Sequence, residues 1–370
     1  MGCSAGPAPR ELSKWEDYRV LISAGNWEPG SAAAGELLGV DATGDVVRLS
    51  QVGIDDGKPT VNGSALLIEG DTTAQWVDGG RVTEIPHPGG NGLHVGSAID
   101  DGRDRAVSVF NMGFSEDGSH YLSPAFWYAD GRLTRKAILP WNILGAPVVC
   151  GPAAYVPIDD ISMADLTVPG GAGVARLGWD GSIEPFWFEG ELAGLDSAMS
   201  DGPACVGSTL SWIATIPRDT AGDGAFDGPL VVVNFDVDSA RVEAMPLILD
   251  SVELTFNRAR IATSSYAVDD SLVWAAEDGT VYVTQVASGR TTRRGELPTN
   301  FTENNVQMYL GEHGLSVLAE DRSTQRLTMY RLSSDGRVTD EVSLDPVLSA
   351  IGKKLAWDSF VDLHNRPAPG

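Results

Sequence analysis

The residues of this sequence that could do chemistry are scattered acids, ten tryptophans, five histidines and three cysteines. A serine hydrolase needs Gly-x-Ser-x-Gly on a strand–turn–helix, and the one match, Gly2-Cys3-Ser4-Ala5-Gly6, lies in the tether-like first residues rather than in such a unit. The sequence lacks the Gly-x4-Gly-Lys-Ser/Thr phosphate loop, the His-Glu-x-x-His motif and paired Cys-x-x-Cys motifs. After the first residues, the familiar motifs of nucleophilic, nucleotide and zinc chemistry are therefore missing. Two carboxylates in one cleft remain a candidate for acid–base chemistry, because 51 residues are Asp or Glu.

Three aspartates in a glycine-rich loop are candidate ligands of a calcium ion. Asp219, Asp223 and Asp227 stand in Asp-Thr-Ala-Gly-Asp-Gly-Ala-Phe-Asp-Gly. Calcium takes several oxygen ligands from flexible loops, although this spacing is not that of an EF-hand. The alternative interpretation is a solvated turn. We predict no other cofactor.

The tryptophans divide into a repeating set and a set in loop-like contexts. Four of them recur beside similar turns, which indicates packing between repeated units rather than one ligand site: Trp76, Trp127, Trp179 and Trp274. We assign Trp187, within Phe-Trp-Phe, to the core as well. Trp27 and Trp141 follow turn-forming residues, and they are the candidates for contact with a ligand such as a sugar.

Two histidines flank a glycine-rich segment. His87 and His94 enclose Pro-Gly-Gly-Asn-Gly and could meet across a loop to bind a metal or act in catalysis. The alternative interpretation is that both side chains are simply solvated.

The cysteines favour an exported protein. Cys150 and Cys205 lie in similar Pro- and Gly-containing segments that are 55 residues apart, about one repeat. A disulfide between them and two buried free thiols are both open interpretations.

Gly2-Cys3 resembles the end of a bacterial lipobox, in which the cysteine becomes acylated, and residues 1–12 resemble a lipoprotein tether. No apolar signal stretch precedes Gly2, so we expect the natural start to lie upstream. The alternatives are N-myristoylation, whose motif wants Ser or Thr where Gly6 stands, and an incidental cysteine. We expect an extracytoplasmic protein on the outer face of the cytoplasmic membrane.

Charge narrows the partners. The net charge is −25, which repels phosphate backbones and argues against nucleic-acid binding. No run of eighteen apolar residues is present, so we expect membrane contact through the lipid alone. We also expect a monomeric protein.

An Asp-Gly-x-aliphatic turn repeats along the chain, as in Asp130-Gly131 and Asp180-Gly181. Such turns suit hairpins, because glycine tolerates positive φ. Taking one outer hairpin per unit places turns near residues 44, 79, 130, 180, 238, 288 and 335. The spacing of about 50 residues is typical of propeller blades.

We therefore predict an all-β fold, a single β-propeller over residues 13–365 with seven four-stranded blades, followed by a tail over 366–370. Six or eight blades are the alternatives, because Asp-Gly also marks inner hairpins, and Asp278-Gly279 is a candidate for one. The first unit lacks one strand, and residues 355–361 read as a strand that would complete it. A short helix beginning at Asp345-Pro346 would precede that strand.

This pattern resembles bacterial envelope propellers of the TolB-like and WD-repeat-like kinds. Only one Trp-Asp pair, Trp179-Asp180, lies in a repeat turn. The resemblance implies a ring with a central channel and a partner on one rim, and it implies no reaction. We expect a non-catalytic binding or scaffold lipoprotein that contacts an envelope protein or glycan. The alternative is a glycosidase or lyase with paired carboxylates at the channel.

Overall fold

The structure is a computed structural model of the 370-residue chain. It describes residues 12–25, 35–50, 58–70, 72–88, 92–100, 104–160, 171–196, 202–216, 228–259, 266–298, 305–311, 314–321, 323–333, 337–351 and 356–365. Cys3, Trp27, Asp219, Asp223 and Asp227 therefore lie outside the described residues.

The described residues form seven antiparallel sheets, which we call blades 1 to 7. Blade 1 contains β1 (Val20–Gly25), β2 (Glu36–Val40), β3 (Val46–Ser50) and β32 (Ala356–Asp362). Blade 2 contains β4 (Thr60–Asn62), β5 (Ala65–Ile68), β6 (Thr73–Asp78) and β7 (Arg81–Pro86). Blade 3 contains β8 (Leu93–Ile99), β9 (Arg105–Asn111), β10 (Gly113–Phe114), β11 (Tyr121–Ala129) and β12 (Arg132–Leu139). Blade 4 contains β13 (Asn142–Ile143), β14 (Val148–Cys150), β15 (Ala153–Asp160), β16 (Gly171–Leu177) and β17 (Ile183–Trp187).

The remaining blades follow in chain order. Blade 5 contains β18 (Ala204–Val206), β19 (Thr209–Thr215), β20 (Leu230–Asp236) and β21 (Arg241–Pro246). Blade 6 contains β22 (Ile248–Leu249), β23 (Val252–Glu253), β24 (Tyr266–Val268), β25 (Ser271–Ala275), β26 (Thr280–Gln285) and β27 (Arg290–Glu296). Blade 7 contains β28 (Asn305–Gly311), β29 (Gly314–Asp321), β30 (Arg326–Leu332) and β31 (Val338–Ser343).

Four strands in meander order make up the frame of each blade, as predicted. The first strands of blades 2 and 3, 3 and 4, 4 and 5, 5 and 6, and 7 and 1 contact one another, so the first strands lie nearest the axis of the ring. In blade 4 this first strand is split into β13 and β14, which both pair with β15. In blade 6 the additional strand β22 pairs in parallel with the outermost strand β27 and covers its edge.

The C-terminal strand closes the ring, as the sequence predicts. β32 pairs antiparallel with β1, from Val20 opposite Asp362 to Gly25 opposite Ala356. It also contacts β28 of blade 7, so it takes the innermost place in blade 1. The helix that precedes it, α1, spans Asp345–Ile351.

Seven hydrophobic clusters within the described residues confirm a seven-bladed ring, because each lies between two neighbouring blades. Successive side chains of one strand point to opposite faces of its sheet, so they pack alternately against the two neighbouring blades. In β15, for example, Val156 and Ile158 pack towards blade 3, and Tyr155 packs towards blade 5.

Short helices complete the described chain. A 3₁₀ helix at Leu12–Asp17 buries Leu12 and Trp15 in the core between blades 1 and 2. Two further 3₁₀ helices span Gly190–Gly194 and Leu363–Asn365. No helix among the described residues is long and apolar enough to cross a membrane.

The predicted outer turns join the third and fourth strands of the blades. Six lie within the described residues, and the seventh, near 335, connects β30 to β31 outside them. Asp130 and Gly131 have φ of +51° and +68°, as an Asp-Gly hairpin turn requires. Asp278-Gly279 instead joins the second and third strands of blade 6.

Candidate functional site

Antiparallel meanders give the ring two distinct ends. We call the lower end the one that carries the hairpins between third and fourth strands. The upper end carries the connections from second to third strand and from one blade to the next. The clearest candidate for a binding site is the upper end of blade 4.

Two tryptophans form an exposed corner at this end. Trp141 stands directly before β13, and its carbonyl oxygen accepts a 2.7 Å hydrogen bond from Ser123. Trp187 is the last residue of β17. Their ring centroids are 5.7 Å apart, and the ring planes meet at 82°. Trp187 is 40% exposed, so its assignment to the core was wrong.

Two glycines of the neighbouring strand leave room for the Trp187 ring. An added Cβ would lie 3.0 Å from Trp187 Cε3 at Gly173 and 3.8 Å from it at Gly171. Any side chain at Gly173 would also approach the Phe186 carbonyl oxygen to 2.7 Å. The absence of side chains at these two positions thus leaves room for the indole. Part of the Trp187 ring therefore packs against the backbone of β16, although solvent reaches the side chain.

Two adjacent carboxylates lie at the end of the strand between β13 and β16. β15 ends in Asp159 and Asp160, which pair with Ala172 and Gly171 of β16. Ala172 belongs to the core on the blade 5 side, and Ile158 belongs to the core on the blade 3 side. Because side chains alternate, Asp159 and Asp160 point to opposite sides of blade 4.

Asp159 is a carboxylic acid with a raised pKa. Burial, with the negative charges of Asp160 and Asp196, raises the pKa of Asp159 to about 6, although a hydrogen bond with Asn142 opposes the shift. Burial also raises the pKa of Asp196. Asp196 is held by two 2.9 Å backbone hydrogen bonds with Thr215 of blade 5. Two acids with raised pKa thus lie at the upper junction of blades 4 and 5.

The repeating tryptophans serve packing, with two departures from the prediction. Trp76, Trp127 and Trp274 are at most 4% exposed, as expected of core residues. However, Trp274 lies on a second strand whereas Trp76 and Trp127 lie on third strands, so these positions are not equivalent. Trp179 lies in the lower turn of blade 4, with the Arg105 guanidinium 5.3 Å from its ring centroid.

Cys150 and Cys205 are joined by a disulfide. Cys150 ends β14 and Cys205 lies in β18, so the bond links the innermost strands of blades 4 and 5. The similar sequence contexts of the two cysteines reflect similar places in neighbouring blades.

The two histidines of the glycine-rich segment join one buried network between blades 2 and 3. Glu69, only 1% exposed, lies at its centre. It accepts hydrogen bonds from Ser108 and, at 3.2 Å, from the Tyr128 hydroxyl. His87 Nε2 lies 3.5 Å from a carboxylate oxygen of Glu69.

The network continues to the second histidine through two hydroxyls. His94 Nε2 lies 2.9 Å from Ser97 Oγ, which lies 2.7 Å from Ser108 Oγ. His87 and His94 are 6% and 3% exposed, so neither is the solvated side chain of a loop. Because the network is enclosed, we assign it to the core.

Arginines and aspartates mix in two clefts at the lower end. The larger, of about 520 Å³, lies between blades 3 and 4 and includes Arg105 and Arg176. Arg105 is paired with Asp100, and Arg176 lies 3.5 Å from Glu184. These cations already have anionic partners, so the cleft is a weaker candidate than the exposed corner. Within the described chain no three His, Cys, Asp or Glu side chains converge as metal ligands.

Comparison with known proteins supports the fold. No protein-family model and no curated protein matches the sequence. An acylaminoacyl peptidase of Pyrococcus horikoshii is similar over 91% of this chain, with a TM-score of 0.53 and 12% identity. The chain covers 52% of that peptidase, about half its length.

Two further structures were found to be similar, of which the first has a TM-score above 0.5. The β-propeller domain of the Trilobed protease from Pyrococcus furiosus matches with a TM-score of 0.52 and 10% identity, over 88% of this chain and 94% of that one. BamB from Moraxella catarrhalis matches with a TM-score of 0.41 and 13% identity, over 78% of this chain and 88% of that one. At such identities the comparisons show the β-propeller fold alone.

Proposed function

We propose that this chain is an exported, lipid-anchored β-propeller that acts as a non-catalytic binding or scaffold protein of the cell envelope. Its partner, an envelope protein or glycan, would bind at the upper end of blade 4. The observation that carries the proposal is the exposed corner of Trp141 and Trp187, because a positioned aromatic pair at the end of a ring is typical of a recognition site.

Two features support export. The disulfide between Cys150 and Cys205 is of the kind that persists in oxidising compartments. Gly2-Cys3 supplies the acceptor for a lipid. The test is to express the natural gene and its Cys3→Ser variant, and then to fractionate the cells. We expect acylated wild-type protein in the membrane fraction and a soluble variant, whereas an unmodified cytosolic wild type would refute the anchor.

The binding role is tested with the purified propeller on envelope extracts and on a panel of envelope glycans. We expect Trp187→Ala to lose a partner that Trp179→Ala retains. The second variant is a matched control, because Trp179 lies in the same blade at the lower end. If both variants and the wild type bind alike, the upper end of blade 4 is not the site.

A carbohydrate-active enzyme is the second candidate, and the raised pKa values of Asp159 and Asp196 favour it. Glycoside hydrolysis needs one protonated carboxylic acid and one carboxylate. Because the pKa of Asp159 is about 6, this side chain is still protonated in a fraction of the molecules near neutral pH. We expect Asp159→Asn and Asp196→Asn each to abolish any hydrolysis of a bound glycan, and no turnover of any bound glycan would reject this candidate.

A further inference from the structure

We infer that the corner between Trp141 and Trp187 is a binding site for an organic cation, a quaternary or alkylated ammonium group. The inference rests on the proposed binding role of this end of blade 4, and it specifies the chemistry of the ligand.

The geometry of the indoles is the first step. The rings meet edge to face at 82°, with centroids 5.7 Å apart, so the exposed Trp187 and the half-buried Trp141 form a corner rather than one flat platform. A compact, rounded group can contact both faces of such a corner at once. The faces of tryptophan attract cations through the ring quadrupole, more strongly than those of tyrosine or phenylalanine.

A carboxylate at the corner is the second step. Asn142 pairs with Asp159 across β13 and β15, so the next position in the register sets Trp141 opposite Asp160. Asp160 pairs in turn with Gly171, over which the Trp187 ring lies. The side chain of Asp160 points to the same side of the blade as Ile158, the side that Trp141 covers. The row therefore places one carboxylate between the two indoles.

The electrostatic setting is the third step. Asp160 is exposed, and within the described part of the chain it forms no ion pair. Arg176 of the same blade lies at the lower end, where it pairs with Glu184. With a net charge of −25, the whole protein also attracts cations and repels anions. An anionic ligand is therefore disfavoured. A neutral sugar could only donate a hydrogen bond to Asp160, whereas a cation is also attracted by its full charge.

The ligand class follows from these steps together. Quaternary ammonium groups cannot donate strong hydrogen bonds, so they suit a site built from aromatic faces and one unpaired carboxylate. Such a group can belong to a free solute or to a lipid headgroup with an ammonium end. The contact of the Trp187 ring with the backbone at Gly171 and Gly173 lowers the side-chain entropy that binding has to remove.

The experiment titrates the wild-type propeller with choline, with tetramethylammonium and with 3,3-dimethylbutanol, following tryptophan fluorescence and calorimetry. The alcohol has the shape of choline without its charge. We expect saturable binding of both cations, weaker in high salt, and at least about 10-fold weaker binding of the alcohol. Vesicles of phosphatidylcholine then distinguish a headgroup from a free solute.

Variants locate the site. We expect Trp187→Ala and Trp141→Ala each to weaken choline binding at least about 10-fold, and Trp187→Phe to restore part of it. Asp160→Asn should weaken the cations about 5-fold and leave the alcohol unchanged. Trp179→Ala is the control, and it should change the affinity less than about 2-fold, since its indole lies at the lower end.

Several outcomes would overturn the inference. They are no saturable binding of either cation, equal affinity for the uncharged alcohol, or cation binding that survives both tryptophan variants with unchanged thermal stability. Binding of neutral glycans that is lost with Trp187→Ala, without cation binding, would refute the cation site yet leave the proposed binding function standing. Cation binding that Trp187→Ala abolishes, together with an envelope partner that the same variant retains, would support the cation site and refute this corner as the binding site of the partner.

Discussion

At the scale of residues, the buried histidines between blades 2 and 3 give opposite dependences on pH. Burial lowers the pKa of His94 to about 4, so between pH 6.5 and 4 the unfolded chain takes up a proton that the folded chain refuses. Its contribution to stability is complete above pH 6.5 and is lost as the pH falls towards 4. Burial opposes the charging of His87, but Glu69 overcomes this and raises its pKa, so its contribution is complete below pH 6.5 and is lost as the pH rises through the raised value.

The unfolding free energy of the wild type should decrease between pH 6.5 and pH 4, and we expect His94→Gln to make this decrease smaller by on the order of 3 kcal/mol. His87→Gln should lose more stability at pH 5 than at pH 8, because the charged histidine no longer neutralises Glu69. Urea unfolding of each protein at pH 4.5, 6 and 8 measures both effects. The control His364→Gln changes an exposed side chain. Parallel curves for all four proteins would contradict the assignment.

At the scale of elements, contact between blades 4 and 5 depends on a glycine and on a disulfide. Gly202, just before β18, has a φ of +89°, and an added Cβ would lie 2.1 Å from the Ala146 carbonyl oxygen. Gly207, just after β18, has a φ of +63° with open space around it. Both glycines have the positive φ that disfavours other residues, but only at Gly202 would a side chain also collide with the neighbouring blade.

Gly207→Ala should therefore cost about 1–2 kcal/mol, the price of the left-handed conformation. Gly202→Ala should cost more than this, because the innermost strands of the two blades must also move apart. Chemical denaturation of the two variants under identical conditions measures the difference. Equal losses would mean that the close approach at Ala146 is relaxed without cost.

The disulfide between these strands restricts the unfolded chain, since it closes a loop with a sequence separation of 55 residues. We expect the double variant Cys150→Ala, Cys205→Ala to lose about 2–4 kcal/mol of unfolding free energy. Addition of a reductant should lower the melting temperature of the wild type and leave that of the double variant unchanged. A wild type indifferent to the reductant would show that the bond does not form in solution.

At the scale of the whole molecule, the ring is closed by strand pairing and by one buried ion pair. Asp362, which is fully buried at the end of β32, accepts hydrogen bonds of 2.6 and 2.8 Å from Arg331 of blade 7. Ser316 donates a further bond of 2.7 Å to the same carboxylate. The last strand is thus joined both to β1 in its own blade and to the blade before it.

Asp362→Asn should destabilise the whole ring, because it leaves the Arg331 guanidinium without its full countercharge. Removal of one partner from a buried pair costs about 3–5 kcal/mol. Glu184→Gln, in the exposed pair with Arg176, should change stability by less than about 1 kcal/mol. Guanidinium unfolding followed by fluorescence measures both. A small effect of Asp362→Asn would show that strand pairing alone closes the ring.

The exposed corner shows where inference from the sequence ended. Trp141 could be chosen because it follows a proline in a loop-like segment. Trp187 could not, because an indole between two phenylalanines has the pattern of a core residue. Its exposure follows from its place at the upper end of β17, which only the folded blade defines. Asp159 and Asp160 carried no signal at all, since only the register of β15 beside β13 and β16 brings Asp160 to the side of the indoles and Asp159 to the side of blade 5.

By itself, the sequence determined the architecture of this protein, because turns and strand periods are local properties that repeat seven times along the chain. Asp-Gly turns and the unpaired last strand sufficed to predict seven blades and the closure of the ring. Tertiary structure alone decided which side chains meet: the disulfide partners, the Glu69 network and the tryptophan corner. Those contacts join residues that are distant in the chain, and their geometry depends on how each blade packs against the next.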